Sequence, residues 1–393
     1  MKACIRFFCL LLVSVGIIAL SSPNLQARQY ELWVIDQADV ADGGGRLYIY
    51  EGEKLQGDHF EGTPEVIDLV TAGGGIRPHM VLFNRSHTHA IISHAASENL
   101  YVMRASDRTL VANLTAKAHA AMPSPDDTMI AAVDPADQSL TRIRADYVNE
   151  SFTFDEEDDV LDLSQFASQV GTPFVRPICP IFSADSQKLY VTLMHGGLLV
   201  IDMRFDGRKF NDPSRLIKAF TPAEIEPNGC GGIVLGGKVY INSGRHVDGD
   251  LTKQRSVLYV IDATTNGLLK TLDLSAYGSD GHGMLLTKHG RYVWVVNRIN
   301  GDNAVVVDTA TDEVVGTIEE IGEAPDLIDL SPNGNWAFVT LRGLKPRTGT
   351  AGSVLPFGVA PRISVLKIKR GGKAAVLKYT IPIGLPATGD PHG

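Results

Sequence analysis

The chain has 393 residues, 39 of them glycine and 20 proline, and only 21% are charged. That composition suits a turn-rich globular protein with a large core and excludes a disordered chain. The net charge of -9 argues against nucleic acid as a partner, because phosphates demand a basic footprint.

The first 27 residues read as a secretory signal. Lys2 and Arg6 form its positive start, Phe7 to Leu20 its apolar stretch, and SSPNLQA its polar cleavage region. The run is too short to span a bilayer comfortably, so the expectation is a cleaved signal, no membrane span after cleavage and a periplasmic or secreted address, with an uncleaved anchor as the alternative. Losing Lys2 and Arg6 takes the net charge from -9 to -11. Cys4 and Cys9 leave with the signal, while Cys179 and Cys230 remain for an oxidising compartment.

Residues 28–393 read as one all-β domain. Short apolar strands follow one another: YELWVID, RLYIYE, LYVMRA, KLYVTL, LLVIDM, KVYINS, VLYVIDA, YVWVVN, NAVVVDT, WAFVTL and ISVLKI. Turn signals such as DGGG, TTNG, GDN and PNG separate them. No amphipathic helix exceeds ten residues, and DLSQFASQV (162–170) suits one short helical turn.

A frame recurs: a strand, a Ser, Asn or Thr turn, then a second strand. It appears in HMVLFNRSHTHAIIS, HAAMPSPDDTMIAAV, PIFSADSQKLYVT, GIVLGGKVYIN, HGMLLTKHGRYVWVVN and LIDLSPNGNWAFVT. A period of roughly 40–50 residues built from short strands means a propeller. The expected architecture is a seven-bladed β-propeller, with four-stranded antiparallel blades around a central channel. The blades fall at about 30–72, 79–115, 119–164, 177–220, 228–275, 282–320 and 325–383. YELWVID reads as a second strand, so the first blade needs an inner strand from elsewhere. GDPHG near residue 393 is where that inner strand should begin, missing or very short as it stands, and the two ends of the domain would then pair and close the ring.

Five residues before the turn residues Asn84, Ser124, Thr287 and Ser331 stand His79, His119, His282 and Asp326. His392 follows Asp-Pro much as His79 follows Arg-Pro, and Cys230 in GCGG aligns with His282 in GHGM. The start of each inner strand and the end of each second strand share one face. This ring therefore meets His94, Asp134, His195, Arg245, His246, Arg298 and Arg342 at one axial mouth.

Imidazoles from several blades, converging on an axis, suit copper, iron or another transition metal, with His79, His119, His282 and His392 as ligands. Arg298 and Arg342, with His195 and His246, would bind a cofactor or an acidic group beside it. The plain alternative is structural: a histidine at a strand start can bond the next blade's carbonyl, and duplicated repeats share residues by descent. Cys179 and Cys230 hold nearly equivalent places in neighbouring blades. A disulfide leads, if their Cα atoms lie near about 5.5 Å; a thiolate ligand, a redox pair or two buried thiols stay open.

Other features read as surface. SHTH (86–89) falls on an outer turn away from the mouth, His59 and His289 are single, and Asp155–Asp159 form a solvated hairpin tip. Glycine-rich stretches open no helix, so they do not mark a nucleotide site; GHG and GCGG instead allow close backbone approach near the axis. No nucleophile elbow or Ser-His-Asp pattern marks a hydrolase.

The stretches LYVTLMHGGLLVIDM, RYVWVVNRINGDNAVVVDTATDEVVGTIE and APDLIDLSPNGNWAFVTLRGLKPRTG, followed by DPHG, resemble the YVTN/YncE-type seven-bladed propellers of secreted proteins. The resemblance implies the fold over most of the mature chain and leaves the activity open. More distantly, the repeat is similar to the heme-carrying propeller of dissimilatory nitrite reductase, where heme sits over the axial opening between His and Arg side chains.

Three functions follow as expectations. The first is a monomeric propeller binding a small molecule, metal or heme at its mouth, with redox chemistry as an option. The second is a scaffold recognising a protein or polymer through rim loops such as 206–215 and 343–360. The third is a lactonase-like metal-dependent hydrolase, which needs more carboxylates than Asp326 and Asp134 supply.

Overall fold

The computed structural model describes residues 30–227, 229–244, 255–347 and 358–392. The expected signal segment, Arg245, His246 and part of the 343–360 loop lie outside them.

Seven antiparallel sheets stand in a ring, each with four strands counted from the axis outward. Blade two shows the plan: Pro78–Phe83 innermost, then His89–His94, Asn99–Arg104 and Leu110–Thr115. Blade one takes its inner strand from the far end of the domain. Pro391–His392 pairs antiparallel with Glu31–Asp36, placing His392 opposite Ile35 and Pro391 opposite Asp36. The expected closure is present, reduced to two residues. It is reinforced by the Gln37 amide donating to the Asp390 carbonyl at 3.0 Å and the Asp390 amide to Asp36 Oδ1 at 2.9 Å.

The blades pack face to face, so middle strands are buried on both sides and read as continuous apolar runs. Residues 90–92, Val293–Val296 and Trp336–Leu341 behave this way, whereas outermost Leu268–Asp273 is largely exposed. Apolar clusters fill every gap between neighbouring blades. Val34, Tyr50, Phe338 and Val365 join blades seven and one. Tyr190, Val200, Ile241 and Tyr259 join blades four and five.

The recurring turn has a physical cause. Asn84 Oδ1, Ser124 Oγ, Ser183 Oγ, Thr287 Oγ1 and Ser331 Oγ each accept the backbone N–H five residues on, at 2.9–3.1 Å. The polar side chain ties the inner strand to the second and fixes their register. In blade five Gly236 and Gly237 replace it, both with positive φ.

Blade three departs from the frame. Its outer strand is split into Ser151–Thr153 and Val160–Asp162, both pairing with Ser139–Asp146. The two pieces run the same way, so the acidic run between them is a bulged excursion within one edge strand rather than a hairpin tip. Glu156 and Glu157 are exposed, but Asp159 turns inward and holds Arg142 at 2.9 Å. DLSQFASQV forms a 3-10 turn at Leu163–Phe166 and a single α-turn at Ala167–Val170.

The 206–215 loop joins the third and fourth strands of blade four, on the face away from the mouth. It is pinned there, with Phe210 and Arg215 buried. Among the described residues no helix is long and apolar enough to cross a membrane.

Candidate functional site at the axial mouth

A β-bulge aims the ring residues. Register slips between Pro78 and Met80, Pro177 and Pro180, Gly281 and Met284, and Pro325 and Ile328. His79, Cys179, His282 and Asp326 lie inside those slips. A bulge breaks the alternation of side chains and redirects the extra residue, here at the same height in four blades. His119 stands one residue before its inner strand, and His392 ends the closing strand. Each blade therefore supplies one residue: His392, His79, His119, Cys179, Cys230, His282 and Asp326, in ring order.

Glycine follows two of them for a steric reason. A Cβ on Gly231 would meet the His282 carbonyl oxygen at 2.5 Å, and one on Gly283 the Asp326 carbonyl oxygen at 2.6 Å. The expected close backbone approach near the axis is thus observed at GCGG and GHG.

The four sequence-predicted histidines do come together. The rings of His79 and His119 lie 4.2 Å apart, those of His79 and His392 are stacked at 4.3 Å, and His282 and His392 stand 5.7 Å apart. Asp326 links two of them and is fully buried. Its Oδ1 accepts from His282 Nδ1 at 3.0 Å and its Oδ2 from His392 Nδ1 at 2.5 Å. His79 Nδ1 donates to Gln37 Oε1 at 3.0 Å. His392 Nε2 is buried without a hydrogen-bond partner among the described residues.

Burial, with the neighbouring rings, holds His79 well below its usual pKa. The same causes push His119 down to about 4. Burial and then Arg298 lower His282. Burial alone would raise Asp326, but His392, Arg342 and His282 outweigh it and hold the carboxyl well below the usual range. The cluster is thus an ionised carboxylate among imidazoles of which these three favour the neutral form.

Arg298 and Arg342 reach the cluster from the ends of second strands. Arg298 is bidentate to Asp280 at 2.9 and 3.1 Å and touches Asp326 Oδ1 at 3.3 Å. Arg342 is bidentate to Asp390, 3.2 Å for each bond, and lies 3.8 Å from Asp326 Oδ2. Sequence reading took these guanidiniums for clamps on a cofactor's acid groups; the structure places them on the chain's own carboxylates. Asp280 and Asp390 went unrecognised, although the repeated Asp-x-His-Gly in SDGHG and GDPHG was the available signal.

The other strand ends do something else. His94 is buried against Tyr101 at 4.3 Å, with Nδ1 on the Asn99 carbonyl. Asp134 caps a turn through the amides of Ala136 and Asp137. His195 is half-buried beside Phe174, 5.5 Å between rings. Among the described residues, Asp134 is committed to its turn and Asp326 to imidazoles and Arg298, so these two carboxylates do not stand free as a lactonase-like site would need.

Away from the mouth, His59 and His289 are exposed as expected. SHTH is not plain surface, because His89 is buried. It bonds Glu150 Oε1 at 3.2 Å across blades two and three, and Arg104 grips the same carboxylate.

Cys179 and Cys230 form a disulfide, with Cα atoms 5.4 Å apart. It joins blades four and five at ring height, completing the circle on the side away from His79 and His392. Among the described residues, no group of three or more His, Cys, Asp or Glu is arranged so as to hold a metal ion.

No family model matches this sequence, and no curated protein matches it. Solved structures do. A chain of hydrazine synthase from Kuenenia stuttgartiensis is 13% identical with a TM-score of 0.55, over 79% of this chain and 87% of that one. A functionally unknown protein from Desulfotomaculum acetoxidans is 12% identical with a TM-score of 0.54, over 76% and 81%. A chain of the Mitotic Checkpoint Complex is 10% identical with a TM-score of 0.54, over 79% and 80%. At such identities the likeness extends to architecture alone: the chain is a seven-bladed β-propeller.

Proposed function

We propose that this propeller binds a first-row transition metal ion at its axial mouth, through His79, His119, His282 and His392. One observation carries the reading: the Nδ1 atoms of His79, His282 and His392 are each committed to an oxygen, Gln37 or Asp326. Metal-ligating histidines characteristically donate one ring nitrogen to a carboxylate or amide oxygen, which fixes the tautomer and frees the other nitrogen as ligand. The buried, unpartnered Nε2 of His392 fits that role. Depressed pKa values keep His79, His119 and His282 neutral at pH 7, the form a metal requires.

Concentrating so many ionisable groups on an axis is a poor route to stability, since buried ion pairs rarely outperform apolar packing, and perturbed groups gather at functional sites. His392, Arg342 and His282 keep Asp326 ionised, and Asp326 in turn holds two imidazoles. To coordinate, the rings of His79 and His392 must tilt out of their stack. Imidazole donors suit copper, zinc, nickel or iron. A porphyrin is less well served, because both arginines are engaged with Asp280 and Asp390. The proposal includes a periplasmic or secreted location, supported by the disulfide. It also includes kinship with the YVTN/YncE-type propellers, supported by the repeat stretches that carry the resemblance.

The test is metal analysis of purified protein before and after dialysis against Cu(II) or Zn(II), beside a His79→Ala/His392→Ala variant. Near-stoichiometric metal in the wild type, lost in the variant, is expected. A wild type that takes up no metal overturns the reading.

A second reading, recognition of a protein across the mouth face, is favoured by six exposed apolar side chains in the loops there: Val40, Ile76, Phe174, Leu344, Val359 and Leu385. Substituting Phe174 and Leu385 with serine would abolish such binding and leave metal uptake intact.

A further inference from the structure

We infer that the blade-four sector of the mouth face binds a small aromatic acid, with Arg176 and His195 holding its carboxylate and Phe174 lying against its ring. The site is separate from the axial histidines and needs no metal.

Blades one and three end their second strands alike, with Asp36-Gln37-Ala38-Asp39 and Asp134-Pro135-Ala136-Asp137. In each, the first aspartate accepts the amide of the alanine, at 3.1 and 2.8 Å. Blades two and four begin alike, with Arg77-Pro78 and Arg176-Pro177. Each arginine carbonyl accepts an amide from the end of its blade's second strand, Ala95 or Met194, at 2.8 Å. Between blades one and two the pattern is complete, because Asp39 holds Arg77 at 2.8 Å. Between blades three and four it is not. Asp137 is taken by Lys117 at 2.7 Å, and Arg176 has no carboxylate partner among the described residues. The repeat supplies the cation at this place without its acid.

An aromatic ring and an imidazole stand beside that cation. Arg176 Cζ lies 5.4 Å from the Phe174 ring centroid, and the His195 ring lies 5.5 Å from the same ring. Arg176 Nε and His195 Nε2 are enclosed and have no hydrogen-bond partner among the described residues. Phe174 is 48% exposed, so its ring is open to a flat ligand. A guanidinium is a planar fork of donors that matches a carboxylate. Burial, and then Arg176, lower the pKa of His195, so at pH 7 it is a neutral ring with one N–H to donate.

The three side chains are held in place by their backbones. The Val175 amide donates to Gln138 Oε1 at 2.7 Å and the Phe174 amide to Thr172 Oγ1 at 3.3 Å. His195 sits on a turn in which the Gly196 amide reaches the Leu193 carbonyl at 3.2 Å and the Gly197 amide the Ile225 carbonyl at 2.8 Å. Both glycines have φ of 90°, which the turn requires. Groups fixed before the ligand arrives cost little to order on binding. Acid recognition, expected of Arg298 and Arg342, falls to an arginine that is not already holding Asp280 or Asp390.

The experiment titrates benzoate into chelator-treated protein at pH 7 and constant ionic strength, following the His195 ring by NMR, with the resonance assigned through His195→Gln. A saturable shift is expected, with affinity reduced about tenfold in Arg176→Gln and less in Arg176→Lys, which keeps the charge but loses the fork. Phe174→Ser should weaken benzoate several-fold and leave acetate unchanged. Benzyl alcohol, which lacks the charge, should not compete. Circular dichroism confirms that each variant is folded. No saturable shift in the wild type, or equal affinity in Arg176→Gln, overturns the inference. Because no metal is present, either result is independent of metal binding at the histidines.

Discussion

Replacing Asp326 by asparagine is the sharpest perturbation of the axial cluster. The carboxylate accepts from His282 at 3.0 Å, His392 at 2.5 Å and Arg298 at 3.3 Å, with Arg342 at 3.8 Å. An amide of the same shape can accept on one side only, so its NH2 must face a donor, and the two guanidiniums lose a shared counter-charge. Removing one partner of a buried ionic network costs about 3–5 kcal/mol, and about 4 kcal/mol is the working value for this site. An unfolding entropy of about 2.1 cal/mol/K per residue, over a chain of this length, converts that to a fall in Tm of about 5 °C. Differential scanning calorimetry at pH 7 reads it directly. The pH dependence supplies a second check. Asp326 has a depressed pKa when folded, so its contribution is present above its unfolded pKa of about 4 and is lost as pH falls below that. Wild type and variant should differ by a constant amount from pH 8 down to about 4, then converge. A Tm unchanged within about 1 °C at pH 7 would refute the network as the cause of order at the mouth.

Other outcomes follow from the same geometry. The neutral forms of His79, His119 and His282 are favoured on folding, so the unfolded chain takes up more protons below about pH 6.5. Stability should therefore fall as pH drops from about 6.5 towards 4, and a His119→Gln variant should show a shallower slope in pH-dependent urea melts. The disulfide closes a loop of 51 residues, and chain-entropy reasoning assigns it about 4 kcal/mol. The Cys179→Ser/Cys230→Ser variant should lower the guanidinium midpoint accordingly without changing the fold seen by circular dichroism. A Cβ on Gly343 would run into the Gly389 carbonyl oxygen. Gly343→Ala should cost about 1–3 kcal/mol and speed hydrogen exchange in Glu31–Asp36, the strand that the closing segment covers.

The propeller was legible because its repeat is periodic and its turn chemistry is local. One polar side chain accepting an amide five residues on leaves a mark in the sequence at Asn84, Ser124, Ser183, Thr287 and Ser331. The same phase located His79, His119, His282 and Asp326, because blades related by repetition place equivalent residues at equivalent heights. What a linear reading could not supply was partnership. Arg298 and Arg342 look like free cations until the ring brings Asp280 and Asp390 beside them, the second from a different blade. His89 looked exposed because its partner Glu150 lies in the next blade, 61 positions on. The acidic run resembled a turn because a split edge strand has no signature distinguishing it from a hairpin. Strand ends share a face but not a radius, which is why long arginines reach the axis while His94 and Asp134 serve their own blades.

The two-residue closing strand ties assembly of the site to completion of the circle. Asp390 anchors Arg342 and His392 anchors Asp326, so the segment that latches blade one to blade seven also carries a quarter of the imidazoles. A chain cut upstream of residue 390 lacks the partners of Arg342 and Asp326 and so holds no finished mouth. Under the proposed metal binding, competence would belong only to molecules whose circle has closed.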